Sequence, residues 1–230
     1  MSSPSSFSAL EKAIGINFRK KDFLLHAITH RSAVKESQAY GHNERLEFLG
    51  DAVLELVTTE HLFRASGKSE GELTNMRSAL VQGDHLAEVA KELKLGDYLF
   101  MSRGEEASGG REKQSTLANS LEALIGAIYL DKGMDVARNF IEQNILNRLS
   151  DLMAQGKHRD EKSVFQESSQ ESLGVTPHYE VVSEVGPDHD KIFTSALFIG
   201  TEKIAEGQGN SKQKAEQAAA KEGLKVKGWK

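Results

Sequence analysis

His42-Asn43-Glu44-Arg45-Leu46-Glu47-Phe48-Leu49-Gly50-Asp51 sets acids at positions 44, 47 and 51 among apolar residues that continue through Val53, Leu56 and Val57. The apolar positions recur with a helical period, so the stretch predicts an amphipathic helix. The i, i+3, i+7 spacing of the acids puts all three on one face of it. Stacked like charges destabilise a helix modestly, and the cost vanishes if a hard divalent cation sits among the oxygens. A solvated acidic face is the other reading of three helical acids taken alone.

A second stretch changes the balance. In Leu117-Ala118-Asn119-Ser120-Leu121-Glu122-Ala123-Leu124-Ile125-Gly126-Ala127-Ile128, Asn119 and Glu122 are the strongly polar, ligand-capable side chains of an otherwise apolar run. Their i, i+3 spacing lets both reach one point. Two helices that each bring oxygen ligands toward a common centre suit Mg²⁺ or Mn²⁺, whereas zinc would call for other ligands. The alternative for Glu122 is a buried salt bridge to an arginine such as Arg45 or Arg77.

Around these two segments, apolar periodicity predicts helices from Ser8 to about Leu152, broken at Gly67 to Gly71, Gly104 to Gly110 and Lys132 to Gly133. The polar stretch 154–159 reads as a linker. Beyond it the period changes. A helix over roughly Glu161 to Leu173 precedes two strand-like runs, Tyr179 to Val185 and Lys191 to Ile199, separated by Gly186-Pro187-Asp188-His189-Asp190. A short third strand near Glu202 to Glu206 follows, and Ser211 caps a last helix. Gly207-Gln208-Gly209 lacks the G-K-[ST] ending of a phosphate-cradling loop and reads as a turn into that helix. The expected fold is therefore an all-α N-terminal domain, 1–153, and a small α+β domain, 160–230, of order α-β-β-β-α.

Composition narrows the function classes. The 230 residues include no cysteine, which excludes disulfides, thiolate nucleophiles and Cys-ligated zinc. It also excludes the P-C-x-x-C that the deaminase-like His42-Asn43-Glu44 would need. No apolar run approaches membrane-spanning length, and the start has no secretory h-region, so a cytoplasmic protein is expected. A net charge of −5 argues against indiscriminate coating of nucleic acid, but Lys212, Lys214, Lys221, Lys225, Lys227 and Lys230 crowd the C-terminal end. Taken alone, that cluster reads as a solvated helix face.

The run Asn43 to Leu54 resembles, almost letter for letter, the signature of the ribonuclease III family. Ala27-Ile28-Thr29-His30-Arg31-Ser32, Glu70-Gly71-Glu72-Leu73 with Met76-Arg77, and Leu121 to Gly126 resemble its neighbouring segments. The resemblance implies a ribonuclease III-type catalytic domain in which Glu47 and Glu122 ligate metal, Asp51 and Glu122 are the critical catalytic acids, and Glu44 and Glu70 assist near the scissile strands. Where the family most often has aspartate, this chain has Asn119, which keeps a carbonyl oxygen for Mg²⁺ but brings no charge. The implied reaction is Mg²⁺-dependent hydrolysis of double-stranded RNA, with Mn²⁺ as substitute and no organic cofactor. A homodimer would make one cut per subunit and leave 5′-phosphates and short 3′ overhangs. Processing of ribosomal RNA precursors is the family's common duty.

The second domain resembles the double-stranded-RNA-binding domain. That likeness implies that Gln166 and Glu167 meet ribose hydroxyls in one minor groove, Pro187 to His189 probe the next, and Lys212 and Lys214, opening the last helix after Ser211, grip phosphates. Gln213 and Glu216 stand where the family tends to be basic. Two readings compete: a double-stranded-RNA-binding protein on the same fold that has lost its chemistry, favoured by Asn119 alone, and a helical phosphohydrolase of small nucleotides. Histidines 26, 30 and 42 read as packing or surface residues.

Overall fold

Apart from Asn119, Ser120 and Glu122, the run from Leu117 to Ile128 is apolar, and a helix of that composition belongs inside. It lies within α7 (Gln114–Lys132), where Leu117, Leu121, Leu124, Ile125 and Ile128 are all buried. The computed structural model describes residues 7–34, 41–154, 161–187 and 191–229. Residue contacts divide the chain into two units, 1–158 and 159–230. Most of the expected linker, 154–159, lies outside the described residues.

The first unit also contains α1 (Phe7–Ile14), α2 (Lys21–Ala27), α3 (Glu44–Ala65), α4 (Glu70–Val81), α5 (Gly83–Glu92), α6 (Arg103–Ala107), α8 (Met134–Asn144) and α9 (Leu149–Ala154), and α7 packs chiefly against α2, α3, α5 and α8. The all-helical expectation holds. One core runs through it, with Leu46, Val53, Leu54 and Val57 of α3 meeting the apolar side chains of α7. At the far end of α7 the buried Asp131 accepts the backbone N–H groups of Arg19 at 2.7 Å and Lys20 at 2.9 Å, which ties the segment before α2 to the central helix.

The break expected over Gly67 to Gly71 is shorter than the glycines suggested. Ser69 caps α4: its Oγ accepts the Glu72 N–H while the Glu72 carboxylate accepts the Ser69 N–H at 3.1 Å. This reciprocal capping box starts the helix at Glu70 and carries Gly71 inside it.

The second unit contains α10 (Glu161–Leu173), an antiparallel sheet of order β1-β2-β3 (His178–Val185, Ile192–Ile199, Glu202–Gly209) and α11 (Lys212–Lys227). Its core joins Phe165, Leu197, Ile204, Ala219 and Ala220, and Trp229 lies against Phe165 with ring centroids 5.0 Å apart. The turn expected at Gly207-Gln208-Gly209 does not form, because β3 continues to Gly209. A Cβ on Gly207 would stand 2.0 Å from the Ala219 nitrogen, and one on Gly209 would stand 2.6 Å from the Ala215 nitrogen. The helix therefore lies directly on the strand backbone, which only glycine permits.

Candidate active site

The site is made by the crossing of α3 and α7, and two glycines set how close they come. A Cβ on Gly50 would sit 1.7 Å from the Glu122 carbonyl oxygen, and one on Gly126 would sit 2.3 Å from the Leu46 carbonyl oxygen. The two backbones thus touch where any larger residue would part them. Glu47 is one turn before Gly50, Asp51 is next to it, and Glu122 is one turn before Gly126. The same contact that closes the core therefore gathers the carboxylates.

Their mutual influence is visible in their proton affinities. Burial, then the charges of Asp51 and Glu47, push the half-buried Glu122 carboxyl up to about 7. Burial also raises Glu47, reinforced by Glu44 and Asp51 and opposed by a hydrogen bond from Asn119. A carboxylate can only accept, so it is the Asn119 amide nitrogen that donates. Neither expected arginine relieves Glu122: Arg77 is bound to Glu55 at 3.1 Å, and no cation is among the charges acting on Glu122. Among the described residues no three histidine, aspartate or glutamate side chains stand close enough together to hold an ion by themselves. The group as a whole offers hard oxygen donors, with the Asn119 carboxamide hydrogen-bonded to the Glu47 carboxylate. It fits a hard divalent cation completed by water.

The other expected residues divide. Glu44 is at the site: it lines one cavity with Glu47 and Asn119 and pairs with Arg31 at 3.6 Å. Glu70 stands exposed in the first turn of α4 and is not among the charges acting on Glu47 or Glu122. Sequence reasoning gave no binding role to the basic and hydroxyl side of the same cavity, formed by His30, Arg31, Lys113, Ser115 and Thr116. Lys113 and Ser115 open α7 with no side-chain cap on its free N–H groups, so an anion beside the carboxylates would find compensating charge there. Their place at the helix start, six and four residues before Asn119, was the available signal.

A stability measurement isolates this electrostatic arrangement. At acid pH Glu122 is protonated in folded and unfolded chains alike, and glutamine is its neutral equivalent. Between the usual carboxylate range and about pH 7, the unfolded chain releases a proton that the folded chain retains, so wild type loses stability there and Glu122→Gln does not. Without divalent cations, the Tm of Glu122→Gln is expected to match wild type near pH 4 and to exceed it by about 3 °C or more at pH 8. A pH-independent difference in thermal melts would contradict the repulsion.

In the second unit, Gln166 and Glu167 are exposed on α10, Pro187 is exposed beyond β1, and Lys212 and Lys214 are exposed in the first turn of α11. Ser211 Oγ accepts the Lys214 N–H at 3.2 Å, the cap expected for it. His189 lies outside the described residues.

The family model described as ribonuclease-III-like matches residues 20–149, which hold α3, α7 and every carboxylate of the site. The chain belongs to the ribonuclease III family. It carries the family's helical nuclease domain, and the double-stranded RNA binding motif matches residues 161–227. Ribonuclease III proteins are endoribonucleases and are generally metal-dependent. Ribonuclease 3 of Desulforamulus reducens is 45% identical over 93% of this chain and 88% of its own length. Ribonuclease 3 of Borreliella burgdorferi is 41% identical over 96% and 91%. The nuclease domain of ribonuclease III from Campylobacter jejuni, solved in a study of flexibility in its region involved in dimer formation, superimposes with a TM-score of 0.56 at 44% identity. That match covers 60% of this chain and 98% of the solved one. No described helix of this ribonuclease III family member is long and apolar enough to cross a membrane.

Proposed function

We propose that this chain is a Mg²⁺-dependent endoribonuclease that hydrolyses double-stranded RNA, with Mn²⁺ able to substitute. The observation that carries the reading is the Glu122 carboxyl, half-buried and raised by the charges of Asp51 and Glu47 with no basic side chain among the groups acting on it. Glu47, Asn119 and Glu122 would hold the ion. When bound, Mg²⁺ lowers the pKa of a coordinated water and stabilises charge on the phosphate and leaving oxygens. Asp51, exposed and among the charges acting on Glu122, would accept the proton of the attacking water. Glu44 orients the approach from the rim of the cavity, and Arg31 and Lys113 bind the phosphate on its basic side. Glu70 is proposed to support the scissile strand only in the RNA-bound assembly.

The second domain selects the substrate class by shape. Gln166 and Glu167 meet one minor groove, Pro187 and His189 meet the next, and Lys212 and Lys214 hold the phosphates between them. Residues 154–159 join the two domains. Two copies of the chain would cut both strands, because a twofold dimer matches the near-dyad of the duplex. An apolar strip on α3 supports this: Phe48 is 81% and Phe63 74% exposed, with Leu56 on the same side of the helix. Large exposed aromatic side chains of this kind mark a contact surface. The expected products carry 5′-phosphates and short 3′ overhangs. Cytoplasmic processing of ribosomal RNA precursors and of other structured messenger and transfer RNA transcripts is the proposed cellular role. The test is incubation with an RNA duplex, the same sequence as DNA, single-stranded RNA and free nucleotides, with and without Mg²⁺. Only duplex RNA with Mg²⁺ should be cut; hydrolysis of nucleotides or equal cutting of DNA would overturn the reading.

Asn119 gives a graded prediction, because its amide oxygen is a neutral ligand. Asn119→Asp is expected to lower the Mg²⁺ concentration for half-maximal cleavage, and Asn119→Ala to raise it, each by roughly three- to tenfold. Alanine is the better helix former, so a purely structural role would leave the Asn119→Ala titration unchanged. Three superimposable Mg²⁺ titrations on one hairpin RNA would show that Asn119 is no ligand.

A further inference from the structure

In the second unit, carboxylates occupy most of the lysines. Among the described residues Lys162 pairs with Glu216, Lys203 with Glu206, Lys225 with Glu222 and Lys227 with Glu202, while Lys214 and Lys221 have no carboxylate within ion-pair distance. Glu184 is shared between two: its Oε1 lies 3.4 Å from the Lys212 Nζ and its Oε2 lies 3.7 Å from the Lys191 Nζ. The sheet register fixes this arrangement. Glu184 near the end of β1 is opposite Phe193 on β2, and the Lys212 ammonium also sits over the Phe193 ring, 5.9 Å from its centre. Lys212, in the first turn of α11, is thus held against the end of the β1–β2 hairpin by a carboxylate on one side and an aromatic face on the other.

We propose that Glu184 is an affinity-limiting residue for duplex RNA: its carboxylate occupies the place of a backbone phosphate on Lys212 and Lys191, and the RNA must displace it. This rests on the reading of Lys212 as a phosphate contact. A carboxylate and a phosphate oxygen compete for the same ammonium hydrogens. An exposed ion pair at 3.4 Å is weak, so a phosphate can displace the carboxylate, yet the negative charge stays beside the RNA backbone and opposes it. Lys214, without such a partner, makes its phosphate contact unopposed. The consequence is a domain that binds duplexes less tightly than its lysines allow, and that releases cut products more readily.

The test is binding of a duplex longer than the roughly 16 base pairs such a domain spans, measured by fluorescence anisotropy with the full chain in the absence of divalent cations. Wild type, Glu184→Gln, Glu184→Asp, Lys212→Ala and the Glu184→Gln/Lys212→Ala pair are compared across a salt series. Glu184→Gln is expected to bind about three- to tenfold more tightly near 0.15 M salt with a steeper salt dependence, Glu184→Asp to bind like wild type, and most of the gain to vanish in the double variant. Lys212→Ala is expected to weaken binding. If Lys212→Ala weakens binding but Glu184→Gln binds no more tightly than wild type, the competing role of Glu184 is overturned while the phosphate contact stands. If Lys212→Ala binds as wild type does, the phosphate contact itself is wrong and the inference falls with it. Unchanged thermal melting of Glu184→Gln keeps a folding defect from imitating either result.

Discussion

Glu122→Gln and Asp51→Asn are each expected to reduce cleavage of an RNA duplex by about 10³-fold or more while leaving duplex affinity within about twofold of wild type. Both substitutions preserve shape and hydrogen-bonding atoms and remove one negative charge, so they act on the site's chemistry and little else. Glu122 carries the larger burden, because its half-buried carboxyl is both a proposed ion ligand and the focus of a repulsion that a bound ion would relieve. Duplex affinity is spared because Lys212 and Lys214, the phosphate contacts proposed for the second domain, belong to the other unit. Cleavage and gel-shift assays on one preparation decide it. A variant that cuts at close to the wild-type rate would remove the acidic cluster from the mechanism, and one that loses binding and cleavage together would point to misfolding.

The second large effect is expected at a residue with no functional group. Gly50→Ala places a methyl 1.7 Å from the Glu122 carbonyl oxygen, so α3 and α7 must separate. Overpacking against backbone costs about 3 kcal/mol or more, which corresponds to a Tm lower by roughly 10 °C in a domain of this size. In an exposed helix the same substitution would stabilise by about 1 kcal/mol, so even the sign is informative. Gly83→Ala is the control: its nearest neighbour would be the Ala118 Cβ at 3.9 Å, and its Tm should be unchanged or slightly higher. At temperatures where Gly50→Ala stays folded, cleavage should still fall by about 100-fold, since parting the helices displaces Glu47 and Asp51 from Glu122. Melting above wild type would show that the helices do not touch there.

These two predictions differ in how far the sequence alone could have supplied them. Glu44, Glu47 and Asp51 share a face by spacing, and Asn119 and Glu122 stand out polar against an apolar run, so local periodicity was enough to nominate them. It could not say that Gly50 and Gly126 are the contact that joins them, because that clash exists only between two helices far apart in the chain. The α-β-β-β-α order of the second unit was legible for the same local reason. The length of β3 was not: Gly207 and Gly209 carry a turn signal, and their role as strand residues beneath α11 depends on tertiary approach. In the other direction, the glycines flanking Ser69 masked a capping box that Ser69 and Glu72 spell out. Glu70 could be named as an acid, but nothing in its spacing indicated that it would stand exposed in the first turn of another helix. The pairing of Glu184 with Lys212 follows from the hairpin register and was beyond reach of any linear pattern.

Locating a bound divalent cation decides whether the α3–α7 crossing is a metal site. Crystals of the protein soaked in Mn²⁺ and measured at the manganese absorption edge should give an anomalous peak about 2.2 Å from oxygens of Glu47 and Glu122, with Asn119 adjoining it. The same soak of Glu122→Gln should give a much weaker peak. Strong manganese density elsewhere, with none between Glu47 and Glu122 at saturating Mn²⁺, would contradict the account.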